Sequence, residues 1–291
     1  MQQYTIDQRW GAYTPEEHAT WRTLFERQLG VLKAGACRAF AQALRTLPIG
    51  PACIPDLAQL NPLLHAATGW TVVAVPGLVP DEVFFRHLAR REFPAGRFIR
   101  APHQLDYLQE PDIFHDIFGH VPMLMHPAMG DFMQAYGEGG LRAMRLGVLE
   151  KLARVYWYTV EFGLVEEDDQ LRIYGSGIAS SFAECNYCLH SPVPQRLRFD
   201  LHRVLRTDYR IDDFQACYFV LDHFDQLLDL AQIDFAPYYA RAAACEVLHP
   251  AASLPTDRVC APPLQHLHRA GTSQGPDTPD PGVSGVLAGT L

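Results

Sequence analysis

A single carboxylate, Glu161, stands inside KLARVYWYTVEFGLV, the apolar run over residues 151–165 whose spacing predicts a buried helix. A carboxylate buried in such a run is costly unless an opposite charge or a metal ion meets it. Lys151 and Arg154 lie a full turn or more away, and neither stands at the i±4 spacing that would let it pair with Glu161. Arg100 is the remaining basic candidate. The fold therefore has to deliver a partner for Glu161 from elsewhere in the chain.

The stretch that offers one is EPDIFHDIFGHVP, residues 110–122, with His115 and His120 set among Ile113, Phe114, Ile117, Phe118 and Val121. On an ideal α-helix, residues five apart point roughly 140° away from each other, so these two rings could not share a ligand there. Gly119 weakens a helix and Pro122 disfavours its continuation, which predicts a helix ending near His120 and two imidazoles free to converge. Two histidines and one carboxylate suit iron(II) in a facial arrangement with open positions, and they suit a catalytic zinc ion equally. The residue types leave an iron oxygenase and a zinc hydrolase both open.

The rest of the pattern predicts a mainly α fold with a few short strands. Thr14, Pro15 and Glu17 give a capped start to a helix over 14–33, followed by helices over 36–46 and 56–67. WTVVAV (70–75) and RFIR (97–100) read as strands, and further helices are predicted over 81–91, 112–118, 128–145, 148–166, 180–189 and 222–232. This alternation is too irregular for a doubly wound sheet. One catalytic domain over 1–261 is expected, with a helical part at 1–75, a core at 76–220 and a C-terminal helical part at 221–261. From 262 to 291 the chain is rich in Pro, Gly, Ser and Thr, the composition of a disordered tail.

The formal net charge of −9 argues against a nucleic-acid partner or an anionic membrane surface. The basic positions His87, Arg90, Arg91 and Arg97 read as a solvated face. No run is long and apolar enough for a membrane span, and the first residues lack the apolar core of a secretory signal, so the cytoplasm is expected. Seven scattered cysteines fit a reducing compartment, and Cys185 and Cys188, a lone CxxC, read as packing residues. Gly175-Ser-Gly177 lacks the context of a phosphate-binding loop.

Three ordered motifs, PDIFHDIFGHVP, YWYTVEFGL and YGSGIASSFAE (174–184), resemble those of the aromatic amino acid hydroxylases, and the resemblance spans about residues 76–220. It implies the catalytic-domain fold of that family, with iron(II) held by His115, His120 and Glu161 in place of the zinc alternative. It implies a tetrahydropterin cofactor, tetrahydrobiopterin or a related bacterial pterin. GLVPDEVFFRHLARREFPAGRFIR (77–100) resembles the pterin-loop segment, which implies that Gly77, Val79, Phe84 and Ala153 line the pterin pocket, with Phe84 stacked on the ring. Asp116 stands where the family usually carries Glu and is the expected acceptor for pterin N–H groups.

Arg100 matches the arginine that holds the substrate carboxylate, and Gln109 stands where animal members carry Thr. Pro111, Trp157, Phe162, Gly177 and Ser180 match substrate-pocket positions, Ser180 doubling as a partner of His115. Trp157 in place of a smaller Phe, and Ile211 in place of an acidic residue, favour phenylalanine over tryptophan and tyrosine. Oxygen and the pterin are the co-substrates implied. Larger members add a regulatory domain and a tetramerisation helix, and this chain, whose segment before Pro76 is short and helical, is expected to act as a monomer.

Overall fold

The computed structural model describes residues 4–106, 108 and 110–260. The predicted tail (262–291) and Gln109 lie outside the described residues. The fold is mainly helical with two small sheets, as the pattern requires. Helix α1 (Pro15–Gly35) begins on the predicted capping box: Thr14 accepts from the Glu17 N–H while Glu17 accepts from the Thr14 N–H. Helices α2 (Arg38–Thr46) and α3 (Leu57–Thr68) follow. Asp56 caps the start of α3, and Gly69 ends it at φ 76°, a left-handed conformation that glycine adopts without a Cβ clash.

Strand β1 (Thr71–Val75) pairs in parallel with β2 (Glu92–Gly96) across helix α4 (Asp81–Leu88). The strand expected at 97–100 therefore lies five residues earlier and contains Pro94. A proline is tolerated here because β2 is an edge strand with only one partner. Helix α5 (Val121–Leu124) leads into α6 (Pro127–Leu146) and α7 (Leu149–Tyr156).

The second sheet escaped the pattern. It is built from β3 (Leu164–Glu167), β4 (Gln170–Ile173), β5 (Gln195–Arg198) and β6 (Cys217–Leu221), in the order β4-β3-β6-β5. Strands β3 and β4 form a hairpin closed by Asp168 and Asp169, at φ 52° and 58°, the paired left-handed residues of a two-residue turn. The helix expected over 148–166 thus ends before this sheet, at Glu161, and its apolar tail is strand β3. Short helices α8 (Ser176–Ala179) and α9 (Phe182–His190), the latter packed on β4, lie in the chain between β4 and β5, α10 (Leu201–Arg206) lies between β5 and β6, and α11 (Asp225–Gln232) and α12 (Ala236–Ala243) follow β6.

Two helical segments depart from α geometry, and both carry the residues singled out in the sequence. Phe114–His120 is a π-helix continuous with α5, and Trp157–Glu161 is a π-helix continuous with α7. The helix predicted to stop near His120 does not stop. It widens instead, and i→i+5 hydrogen bonding brings residues five apart onto one side. In the second segment the Phe162 N–H donates to the Trp157 carbonyl at 2.8 Å, a bond of that kind.

The first π-helix is held from its apolar side. Phe114 and Phe118 stack at 4.8 Å, Trp21 meets Phe114 edge-on at 5.2 Å, and Phe25 meets Phe118 at 5.4 Å. All four rings are buried in the main core. Each such pair adds about 0.5–1.5 kcal/mol beyond its buried area, enough to fix the rotation of the segment. The histidines on its other side then face inward toward Glu161.

Candidate active site

The two π-helices bring together the three side chains that the sequence placed far apart. His115 and His120 approach through their Nε2 atoms at 3.1 Å. His120 Nε2 lies 3.2 Å from Glu161 Oε1, and His115 Nε2 lies 3.7 Å from Oε2. All three side chains are buried. Arg100, Arg154 and Lys151 are not the partners of Glu161: Arg100 pairs with Asp112, and Arg154 with Glu150.

Ligation requires an unprotonated nitrogen on each ring, and the surroundings of His115 supply one. Burial drives the His115 ring down to about 4, against the pull of Glu161, so it is neutral near pH 7. The Ser180 hydroxyl lies 2.8 Å from His115 Nδ1 and 2.8 Å from the Ser176 carbonyl. A hydroxyl has one proton to give; donating it to the carbonyl makes Ser180 an acceptor for His115 Nδ1–H, which leaves the Nε2 lone pair directed at the cluster. Burial works against the charge of Glu161, but His120, His115 and the Ser176 hydroxyl together hold its carboxyl below the usual carboxylate range. Ser176 donates to Glu161 Oε2 at 2.8 Å.

Close backbone packing holds this geometry. A Cβ on Gly119 would lie 2.9 Å from the Ser176 carbonyl, and one on Gly177 would lie 3.0 Å from the Phe162 ring and 3.1 Å from Glu161 Oε2. Glycine at these two positions lets α8 lie against both π-helices. The three donor atoms lie within 4.8 Å of one another and form a two-imidazole, one-carboxylate set, which fits a divalent metal of the iron or zinc type.

The triad forms the floor of a cavity of about 480 Å³. Its lining also includes Gly77, Val79, Phe84, Pro111, Asp116, Trp157, Tyr209 and Ile211. Asp116 accepts from the Gly96 N–H at 2.7 Å, and burial pushes its carboxyl well above the usual carboxylate range. Trp157 is stacked on Tyr209 at 4.3 Å and leans on Phe162 at 4.7 Å.

Not every predicted residue reaches the cavity. Ala153, Phe162, Gly177 and Ser180 are absent from its lining. Ser180 and Gly177 touch His115 and Glu161, and Phe162 backs Trp157. Arg100 also stands behind the lining. Its Nε and Nη2 donate to the two oxygens of Asp112, at 2.8 and 2.9 Å, so the fork expected to grip a substrate carboxylate is already engaged by Asp112. Burial opposes the charge of Asp112, and Arg100 outweighs it, keeping that carboxyl low. Asp112 Oδ1 also accepts from the His115 N–H at 3.1 Å, which links the arginine to the metal-ligating turn.

Sequence reasoning missed Asp112, Ser176, Phe93 and Tyr156. Asp112, three residues before His115, carried the signal of a helix-capping acid. Phe93 packs on the His120 ring at 4.8 Å, and Tyr156 lines the cavity beside it. Both looked like ordinary core.

A helical scaffold with a buried two-histidine, one-carboxylate cluster at the foot of an aromatic-walled cavity defines a mononuclear metalloenzyme with room for a flat cofactor and a ring-bearing substrate. Residues 7–242 match the biopterin-dependent aromatic amino acid hydroxylase family, and the chain belongs to that family. It is 55% identical to the phenylalanine-4-hydroxylase of Caulobacter vibrioides over 92% of this chain and 91% of that protein. It is 58% identical to the phenylalanine-4-hydroxylase of Ralstonia nicotianae over 81% of this chain and 75% of that one. A crystal structure of Chromobacterium violaceum phenylalanine hydroxylase bound to cobalt superposes with a TM-score of 0.86 at 52% identity, covering 88% of this chain and 92% of that one.

Proposed function

We propose that the protein is a phenylalanine 4-monooxygenase, converting L-phenylalanine to L-tyrosine with molecular oxygen, iron(II) and a tetrahydropterin. The observation that carries this reading is the triad in a cavity whose lining includes Phe84, Trp157 and Ile211. His115, His120 and Glu161 would hold the iron. Iron and pterin together supply the electrons that activate oxygen. A zinc hydrolase with the same ligands is not supported by the family match.

The chain's own residues bind and orient. Phe84, with Gly77 and Val79 beside it, offers a flat apolar side for the pterin ring. We assign Asp116 to the pterin side as well, with Ala153 supporting it from α7. Trp157 and Pro111 hold the substrate ring, with Phe162 behind Trp157. Arg100 offers Nη1, whose partner among the described residues is the Leu105 carbonyl at 3.5 Å, as the donor for a substrate carboxylate. Gly177 and Ser180 act by setting Glu161 and His115. An apolar Ile211 leaves a phenolic hydroxyl without a partner, which favours phenylalanine over tyrosine by about 10²-fold at most.

We read the chain as one catalytic domain that works as a cytoplasmic monomer without a nucleic-acid or membrane partner. Among the described residues no helix is long and apolar enough to cross a membrane. The deciding experiment is competition among phenylalanine, tyrosine and tryptophan at equal concentration, with iron(II), tetrahydropterin and oxygen present. Tyrosine formation from phenylalanine at the highest kcat/KM is expected; a preference for either other amino acid would reject the substrate assignment.

A further inference from the structure

One wall of the cavity rests on a segment without regular structure. Between α10 and β6, residues 209–214 carry Tyr209 over Trp157 and place Ile211 in the cavity lining. On the outside, Arg210 pairs with Asp212 and Asp213, and these are the charged partners they have among the described residues, all more than half exposed. Such surface pairs contribute little to the position of a loop.

The inside is different. Gln215 is 3% exposed, and the whole of its amide is engaged. Its Oε1 accepts from Trp157 Nε1–H at 2.9 Å. Its Nε2 donates to the Arg210 carbonyl at 2.9 Å and to the Asp213 carbonyl at 3.4 Å. Its backbone N–H donates to buried Glu184 at 3.3 Å. A carboxylate in this place would face two carbonyls with no proton to give, and an aliphatic side chain would leave the buried indole N–H and two carbonyls without partners.

We propose that Gln215 is a positioning residue that sets amino-acid selectivity, by joining Trp157 to the 209–214 loop so that the two form one rigid wall. The proposal rests on the hydroxylase reading for the identity of the substrate. Without this brace the indole of Trp157 turns more freely and Tyr209 no longer covers it. The cavity then grips phenylalanine less well and admits a bulkier ring more readily. Gln215 does not touch the metal triad or the Phe84 side of the cavity, so iron content and pterin binding stand apart from it.

The test compares Gln215→Leu, Trp157→Phe and the double variant in the full chain. For Gln215→Leu we expect kcat/KM for phenylalanine to fall about tenfold, chiefly through KM, and the preference for phenylalanine over tryptophan to fall by a similar factor, while the pterin KM stays within about twofold. The double variant should be little worse than either single one, because both remove the same bond. Hydrogen exchange followed by mass spectrometry should show faster exchange confined to 209–214. If Gln215→Leu does not fold, Gln215→Asn shortens the amide by one carbon and must show the same pattern.

Unchanged selectivity in a folded variant, additive single effects, or an equal rise in both Michaelis constants would overturn the proposal. A parent protein that hydroxylates no aromatic amino acid would instead reject the hydroxylase reading. Loop exchange in Gln215→Leu would then decide the bracing role by itself.

Discussion

His115 and His120 are five residues apart in the chain, yet their Nε2 atoms lie 3.1 Å from each other because the turn between them is π-helical. With Glu161 they place three donors in a buried spot where few charged groups are stable alone. Ferrous iron added without oxygen should therefore raise the melting temperature: binding at a hundredfold over Kd is worth about 2.7 kcal/mol. Scanning calorimetry should show that rise in the parent and not in Glu161→Ala. An equal rise in both would mean that the metal sits elsewhere.

Ser180→Ala removes the acceptor that fixes the His115 tautomer while leaving all three ligands in place. Loss of such an outer partner typically weakens metal affinity by roughly 10–100-fold. Titration with cobalt(II) or iron(II), read by the visible spectrum or by calorimetry, should show this, with far-UV circular dichroism unchanged. An unaltered Kd would contradict the role of Ser180.

Arg100→Lys keeps the charge but gives Asp112, which is wholly buried, one ammonium in place of a two-pronged guanidinium. Losing one charged hydrogen bond costs roughly 1.5–3 kcal/mol, so the melting temperature should fall by several degrees. Steady-state kinetics should also show a larger rise in the KM for the amino acid than in that for the pterin. Equal changes in both, with no thermal effect, would show that the pair has no part in holding the substrate.

Glu184 is buried beside Tyr218 and the Gln215 N–H, and burial pushes its carboxyl up to about 7. Its folded value lies above the ordinary glutamate value of 4.5 of an unfolded chain, so its protonated form stabilises the fold fully below about pH 4.5. That contribution is lost as the pH rises through 7. Glu184→Gln stays neutral throughout and should escape the loss. The variant's melting temperature relative to the parent should therefore climb between pH 5 and pH 8, by on the order of 2 kcal/mol or several degrees. A pH-independent difference would show that Glu184 is ionised in the fold at both values.

The helices that carry N-caps and C-cap glycines were legible in the sequence, α1 and α3 almost to the residue, because their boundaries are set by local chemistry. The three metal-ligating residues were legible as well, since a carboxylate in an apolar run needs a partner whatever the fold. Their geometry was not. A widened turn has no signature in residue type, and Gly119 and Pro122 suggested a break where the helix continues. The four-stranded sheet was hidden because β3 continues the apolar run of α7 with only Thr159 and Glu161 interrupting it, and its neighbour in the sheet, β6, lies more than fifty residues downstream. Arg100 was found, but its engagement by Asp112 needed the tertiary structure, as did the Gln215 brace.

The two wide turns also bear on any attempt to move this chemistry to another protein. Copying His115, His120 and Glu161 onto straight α-helices at the same spacings would send the two imidazoles to different sides of their helix and lose the pocket floor. A designer would have to import the extra residue of each turn together with the ring stack of Trp21, Phe25, Phe114 and Phe118 behind the first of them. The smallest transferable unit is then a pair of misshapen helices with their backing core, and a grafting strategy that idealises the backbone first would delete the very irregularity that makes the ligands meet.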